Sequence, residues 1–302
     1  MTAADDGSMQ VWLSLPFLPP HGLRQLSLVA EQAGVTGVAL SEHPCVPVGF
    51  TSPYPYGGGK GKPVALPPDT LLPDPLITTA GLAAGTSTLR FMTAVLIAPL
   101  RHPVMLAKEV ATVSALTDGR FDLGVGVGWL REEFEALGVP TFGRRGRVLD
   151  EMLSVLPRLW TGEPVSHRGV HFSFEPVAVN PTPAGRVPIF VGGTSRAALR
   201  RCAAFGDGWV GANHSVDEMA EIVAGLVAAR AEAGTADRPF EIRTGLRGTV
   251  TRERMAALRE LGVHSFLLAP WQVGERRESI HDLPIEVIAA ALPQLVDMIK
   301  TA

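Results

Sequence analysis

The segment Leu89–Trp129 constrains the fold of this chain most, because it reads as a strand, a helix and a second strand in immediate succession. The run from Leu89 to Ala98 is uncharged beyond its second position, which is typical of a strand buried on both faces of a parallel sheet. His102–Leu116 carries apolar side chains at helical spacing, and Asp118-Gly119 predicts the end of that helix. Phe121–Val127 predicts the next strand. The segment is therefore one βαβ repeat.

The same repeat recurs along the chain. Each of eight predicted strands is followed by a predicted helix, and these strands begin near Val11, Gly37, Leu89, Phe121, Val187, Gly208, Phe240 and Ser265. Eight such repeats close a (β/α)8 TIM barrel, which takes about 250 residues. The alternative is an open doubly wound sheet. The barrel is favoured because no G-x-G-x-x-G motif follows the first strand.

Two segments do not fit the repeat. Residues 46–75 are rich in proline and glycine and lack periodicity, which predicts a long loop that is a lid, a binding loop or a disordered segment. Residues 161–183 alternate as a hairpin does and look inserted between repeats. We therefore predict that residues 1–302 form a single barrel domain with a loop insertion near 46–75 and a hairpin insertion near 161–183.

The composition excludes several classes of partner and cofactor. A net charge of −3 argues against a nucleic-acid partner or an anionic membrane, which leaves a small-molecule substrate. With only Cys45 and Cys202, the chain has neither a disulfide framework nor a zinc motif, and we expect no metal. The N-terminus lacks the order of a secretory signal, and no apolar run approaches membrane-spanning length. We expect a cytoplasmic protein.

The predicted fourth strand ends in an unusual pattern. Gly124, Gly126 and Gly128 alternate with valine. On the strand period of two, this removes every side chain from one face of the strand. We expect something large and flat to lie against the bare backbone.

The second predicted strand leads to a pair of titratable side chains. In a barrel the active site lies at the C-terminal ends of the strands, and Glu42-His43 follows the strand Gly37–Leu40. An imidazole titrates near neutrality, so His43 is the candidate proton-transfer group, oriented by Glu42 or by a backbone carbonyl. The alternative is a loop histidine that only makes local hydrogen bonds.

Two further strand ends carry candidate binding groups. The stretch Gly192-Gly193-Thr194-Ser195 stands between a strand and a helix, where it is either an anion site or an ordinary turn with Ser195 as the N-cap. Trp129 either stacks on a ligand ring or covers the barrel mouth. Cys45 lies near the same place, without a second element of nucleophilic catalysis, which favours a passive thiol.

The combination of motifs resembles the luciferase-like monooxygenase superfamily over about residues 11–209. The motifs that carry the resemblance are SEH, TAVLIAPLRHP, DGRFDLGVGVGW, RRGRVLDEMLSVLPRLWTGEPVSHRGVHF and PIFVGGTSRAALRRCAAFGDGW. Together with the SPYPYGGGKGKP loop, they look most like actinobacterial oxidoreductases that use the deazaflavin coenzyme F420.

The resemblance implies a (β/α)8 barrel with an insertion and a cofactor at its C-terminal mouth. It implies a bulge with a non-prolyl cis peptide at Ala94-Val95, which backs the cofactor ring. It makes His43 the residue near the reactive carbon, with Glu42 beside it, and the Gly192-Gly193-Thr194 stretch the contact of the phosphate-bearing tail. The cofactor-binding residues expected on this basis are Ala94, Val95, Gly126, Gly128, Trp129, Gly192, Gly193 and Thr194.

The resemblance also implies the reaction. A reduced deazaflavin delivers hydride and reacts poorly with oxygen, so we expect a reductase or dehydrogenase acting on a small organic substrate, in a homodimer. Trp129 stands where some sugar-phosphate dehydrogenases of the family carry a glutamate, which argues against a sugar phosphate. The alternatives are an FMN-dependent monooxygenase on the same barrel and a non-catalytic flavin-binding relative.

Overall fold

Parallel strands form one closed barrel. A computed structural model describes residues 8–15, 18–55, 61, 66–273 and 285–302. Its strands are β1 (Gln10–Ser14), β2 (Gly37–Leu40), β3 (Arg90–Thr93), β4 (Leu96–Ile97), β5 (Phe121–Gly126), β6 (Val165–Arg168), β7 (Ser173–Val177), β8 (Ile189–Gly192), β9 (Gly208–His214), β10 (Glu241–Leu246) and β11 (Ser265–Leu268). The barrel runs in the order β1-β2-β3-β5-β8-β9-β10-β11 and returns to β1, with β4 continuing β3. Within the described residues this confirms the predicted (β/α)8 barrel.

Helices cover the outside of the barrel. They are α1 (Pro20–Gln32), α2 (Pro75–Ala83), α3 (Pro103–Leu116), α4 (Arg131–Ala136), α5 (Arg145–Leu159), α6 (Arg196–Phe205), α7 (Val216–Glu232), α8 (Arg252–Glu260) and α9 (Ile285–Thr301). Proline opens three of them, where its missing N–H costs nothing. Ser215 and Glu218 form a capping box at the start of α7. In the described parts of the chain, no helix is long and apolar enough to cross a membrane.

The third barrel strand is interrupted, unlike the continuous strand predicted over Leu89–Ala98. β3 ends at Thr93 and β4 begins at Leu96, with the Ala94–Val95 peptide bond between them in the cis form. β3 pairs with β2 and β5, whereas β4 pairs with β5. The cis bond confirms the expectation drawn from the family resemblance.

The predicted hairpin insertion is present as the antiparallel pair β6 and β7. It is held against α5 by Glu151, whose carboxylate accepts hydrogen bonds from the backbone N–H groups of Val170, His171 and Phe172. In the predicted loop at 46–75, the described residues before α2 carry no helix or strand. Residues 56–60 and 62–65 of that loop lie outside the described residues.

The inside of the barrel holds an ionic cluster at the N-terminal ends of the strands. Arg243 donates to Asp122 (2.7 Å) and to Glu241 (2.8 and 2.9 Å), and its guanidinium lies 4.2 Å from the ring centre of Trp12 and 3.8 Å from that of Phe190. Burial lowers the pKa of Arg243, but the paired carboxylates outweigh burial and raise it overall. Arg243 and Asp122 are therefore buried as an ion pair, with the partly exposed carboxylate of Glu241 beside them.

Candidate active site

His43 lies just beyond β2 and is held by a partner from another part of the sequence. Its Nδ1 lies 2.9 Å from Oε1 of Glu133, in the first turn of α4. Glu133 is completely buried, whereas the His43 side chain is 17% exposed. A carboxylate only accepts hydrogen bonds, so Nδ1 is the donor. Among the described residues, the structure gives no hydrogen bond to the other ring nitrogen, Nε2.

Glu42 faces a different set of partners. Its carboxylate accepts a hydrogen bond from the backbone N–H of Ile97 (2.6 Å) and two from the guanidinium of Arg101 (3.1 and 2.5 Å). It is thus tied to the start of the turn after β4. The expectation that Glu42 or a backbone carbonyl partners His43 is wrong, because Nδ1 of His43 bonds to Glu133 instead. A catalytic role for Glu42 stays a prediction.

The glycines at the end of β5 do not leave an open face. A Cβ on Gly124 would lie 1.9 Å from the carbonyl oxygen of Thr93, and one on Gly126 would lie 2.6 Å from Cγ2 of Val95. A Cβ on Gly128, whose φ is +74°, would lie 2.7 Å from Cγ2 of Ile97. The expected space for a flat ligand on this side is therefore filled by the interrupted third strand, and that interpretation was wrong. Backbone contacts of Gly126 and Gly128 with a cofactor stay a prediction.

Val95 stands between two strand ends at the barrel mouth. Its Cγ2 approaches Gly126 of β5, and a Cβ on Gly192 of β8 would lie 3.0 Å from its Cγ1. Side chains at either glycine would push Val95 away. The glycines of β5 and β8 therefore admit the Ala94-Val95 bulge into the mouth.

Trp129 is the centre of a group of rings at the same mouth. Its ring centre lies 5.8 Å from that of His43, 5.9 Å from that of Phe50 and 5.4 Å from that of Tyr54, each in an edge-to-face arrangement. Aromatic rings prefer this geometry to direct stacking. Trp129 therefore joins the histidine to the loop at 47–55, and its expected contact with a cofactor stays a prediction.

Glu132 fastens that loop to α4. Its Oε1 accepts hydrogen bonds from the backbone N–H of Thr51 (2.8 Å) and Ser52 (3.1 Å), and its Oε2 accepts one from the Ser52 hydroxyl (2.7 Å). Burial raises the pKa of Glu132, but these hydrogen bonds outweigh burial and lower the pKa to about 2. The carboxylate thus acts as a charged latch for the loop.

The turn after β8 has the backbone shape that its sequence predicts. Ser195 caps α6, its side chain accepting a hydrogen bond from the N–H of Ala198 (3.2 Å), and Gly193 has a φ of +106°. The carbonyl of Gly193 accepts a hydrogen bond from Nε1 of Trp209 (2.9 Å). Thr194 is exposed. The cap is confirmed, and anion binding at Gly192, Gly193 and Thr194 stays a prediction.

Sequence reasoning missed the two glutamates of α4. Both stand in the first turn of a predicted helix, where acidic residues are common for reasons of the helix dipole alone. The signal that distinguishes them is their position just beyond the fourth strand end, at the barrel mouth. Burial and the charge of Glu133 raise the pKa of Cys45, which agrees with a passive thiol.

These features define a (β/α)8 barrel with a buried carboxylate holding a histidine at the mouth. The chain belongs to the luciferase-like monooxygenase family, whose family model matches residues 3–291. It is 32% identical over 264 residues to an uncharacterized protein of Mycobacterium tuberculosis, covering 84% of this chain and 88% of that protein.

Two relatives with named activities match shorter parts of the chain. An F420-dependent glucose-6-phosphate dehydrogenase of Microbacterium testaceum is 30% identical over 193 residues, which cover 63% of this chain and 52% of that protein. An FMNH2-dependent dimethylsulfone monooxygenase of Pseudomonas fluorescens is 35% identical over 138 residues, which cover 45% of this chain and 38% of that protein. The family thus includes oxidoreductases that depend on a deazaflavin and others that depend on a flavin.

Proposed function

We propose that the protein is an F420-dependent oxidoreductase that transfers hydride between the deazaflavin and a small organic substrate. The observation that carries the proposal is His43 at the barrel mouth, fixed through Nδ1 by a buried carboxylate beside the Ala94-Val95 bulge. The name of the Microbacterium relative supports the deazaflavin. The name of the Pseudomonas relative makes an FMN-dependent monooxygenase the second candidate.

The residues at the mouth fit such a cofactor. Val95 occupies a cradle that a Cβ at Gly126 or Gly192 would fill, so the bulge forms a wall for the ring. The turn at Gly193 and the exposed Thr194 leads into the N-terminus of α6, whose N–H groups suit an anionic tail. The same residues would hold the ring and the phosphate of FMN.

A bound deazaflavin would donate or accept the hydride, and residues of the chain would bind it, orient it and move the proton. With Nδ1 bonded to Glu133, His43 gives or takes a proton at Nε2. Trp129, Phe50 and Tyr54 shield this side of the mouth from water. The bulge and the turn after β8 orient the cofactor.

Equilibrium titration of the purified protein with F420 and with FMN, followed by fluorescence, tests the assignment. We expect F420 to bind and FMN to compete poorly. Tighter binding of FMN would transfer the protein to the flavin-dependent monooxygenases. Binding of neither would overturn the proposal, and binding without turnover on a broad panel of alcohols, ketones and enones would indicate the non-catalytic relative.

A further inference from the structure

Two adjacent glutamates at the start of α4 hold different parts of the mouth. Glu132 accepts from Thr51 and Ser52 in the loop, whereas Glu133 accepts from His43. Glu132 is partly exposed and Glu133 is not exposed at all. Substitutions at Glu132 and at Glu133 therefore separate the effect on the loop from the effect on His43.

The buried carboxylate of Glu133 has one hydrogen-bond partner among the described residues, His43. The second oxygen, Oε2, is buried and has no hydrogen-bond partner among the residues that the structure describes. A carboxylate without water around it is costly unless its oxygens are paired. The bond from Nδ1 of His43 is the one that the structure gives this side chain in the described residues. Because His43 gives the buried carboxylate of Glu133 this one hydrogen bond, we treat the two side chains as a functional pair.

We propose that Glu133 is the positioning residue of His43: it keeps the hydrogen on Nδ1 and turns Nε2 towards the reacting group. A neutral imidazole free in water has two tautomers, and a carboxylate at Nδ1 selects one of them. This inference rests on the proposed role of His43 in proton transfer. Its structural content, the selection of one tautomer, is measurable without cofactor or substrate.

The direct test reads the tautomer by ¹⁵N NMR of labelled histidine at about pH 8.5, well above the ordinary imidazole pKa of about 6.5. The His43→Ala spectrum identifies the His43 signals. We expect the wild-type protein to hold His43 with hydrogen on Nδ1. In Glu133→Leu, which replaces the carboxylate by a buried apolar side chain, we expect this tautomer to lose its dominance.

Two further variants, Glu133→Gln and the control Glu132→Gln, complete this experiment. Glu133→Gln keeps the shape, but its amide offers both a donor and an acceptor to Nδ1, so we expect a mixture of tautomers. Glu132→Gln alters the neighbouring residue, which does not contact His43, and the wild-type tautomer should remain. If both Glu133 variants fold and keep the wild-type tautomer undiminished, the positioning role is wrong.

Kinetics of the cofactor-bound protein add a second measurement, the coupling between the Glu133 and His43 substitutions, which a purely structural role of Glu133 would not produce. We expect Glu133→Leu to lower kcat nearly as far as His43→Ala, with cofactor Kd unchanged, and the double variant to be no slower than His43→Ala alone. Additive losses would contradict the inference. If F420 fails to bind at all, the proposed function falls while the tautomer result still decides the role of Glu133.

Discussion

The two nitrogens of the His43 ring have different surroundings, and this difference sets what the residue can do. Nδ1 is bonded to Glu133, which also fixes the plane of the ring. The edge-to-face contact with Trp129 limits rotation from the other side. In the proposed reaction, a histidine held in this way would transfer its proton without first reorienting.

At the residue scale we expect His43→Ala to lower the rate of hydride transfer about a hundredfold, the usual contribution of a positioned acid or base. Cofactor affinity should change little. Single-turnover kinetics measure the chemical step apart from product release. A wild-type rate in a folded variant would show that His43 only anchors the loop, and Glu42 and Trp129 would be the next residues to test.

The turn at Gly193 provides a test of the anion site. We expect Gly193→Asp to weaken cofactor binding, because a carboxylate would stand near an anionic tail and repel it. Any side chain at a φ of +106° is strained, and its Cβ would lie 3.0 Å from that of Ala198. Gly193→Asn is therefore the matched control, with the same strain and no charge. Equal affinities of the two variants would place the tail elsewhere.

The sequence predicted some residue roles and missed others for a physical reason. The Ser195 cap and the turn at Gly193 follow from local backbone chemistry, which the sequence carries directly. The partners of Glu42 and His43 lie on other elements, 59 positions away at Arg101 and 90 positions away at Glu133. Such pairs form only when the barrel closes, so no local sequence pattern predicts them.

At the scale of elements, the carboxylate of Glu132 in α4 holds the loop at 47–55. Glu132 receives hydrogen bonds from both backbone and side chain of that loop, and Phe50 and Tyr54 then reach Trp129. Releasing the latch should loosen the loop and its rings together. α4 thus holds the loop with one glutamate and the histidine with the next.

The latch predicts a pH dependence of stability. The pKa of Glu132 falls from its ordinary 4.5 to about 2 in the folded protein. A lowered pKa adds stability above the unfolded-state value, and this stability is lost as the pH falls through the folded-state value. We expect the Tm of the wild type to exceed that of Glu132→Gln at pH 6, and the gap to shrink between about pH 4.5 and 2. A gap that is constant over this range would contradict the latch.

Strands were easier to predict than the break in one of them. Uniform apolar runs identify the parallel strands, and the predicted repeats match their order. The same uniformity hides the interruption after Thr93, because Ala94 and Val95 are as apolar as the strand around them. Only the family resemblance indicated the bulge. The glycines of β5 were its local signal, and they were interpreted as an open face instead of space for a neighbouring strand.

At the scale of the whole molecule, the barrel interior is divided into two ends of different chemistry. Arg243, Asp122 and Glu241 fill the end where the strands begin, between the rings of Trp12 and Phe190. The mouth where the strands end carries His43 and the bulge. The ionic cluster and the proposed site therefore lie at opposite ends of one barrel, the arrangement that is usual for barrels of this kind.

The ionic cluster predicts a large effect on stability. We expect Arg243→Leu to lower the free energy of unfolding by about 3 kcal/mol, because it leaves the buried carboxylate of Asp122 with Arg90 alone as its charged partner. Arg243→Lys keeps the charge but loses the planar guanidinium between the two rings. We expect its free energy of unfolding to lie between those of the wild type and Arg243→Leu. Urea denaturation measures both. A leucine variant as stable as the wild type would show that apolar packing replaces the cluster without cost.

The ionic cluster at the start of the strands has a consequence for the order in which cofactor and substrate bind. Among the described residues, the guanidinium of Arg243 packed between two aromatic rings fills the end of the barrel where the strands begin, so in the proposed reaction both reactants would enter at the mouth. A cofactor bound against the bulge, as proposed, would have to enter before the substrate and leave after the product. The reaction should therefore follow a compulsory order, with the organic substrate second on and first off. Product-inhibition patterns reveal that order, and a random order would mean a second route into the barrel.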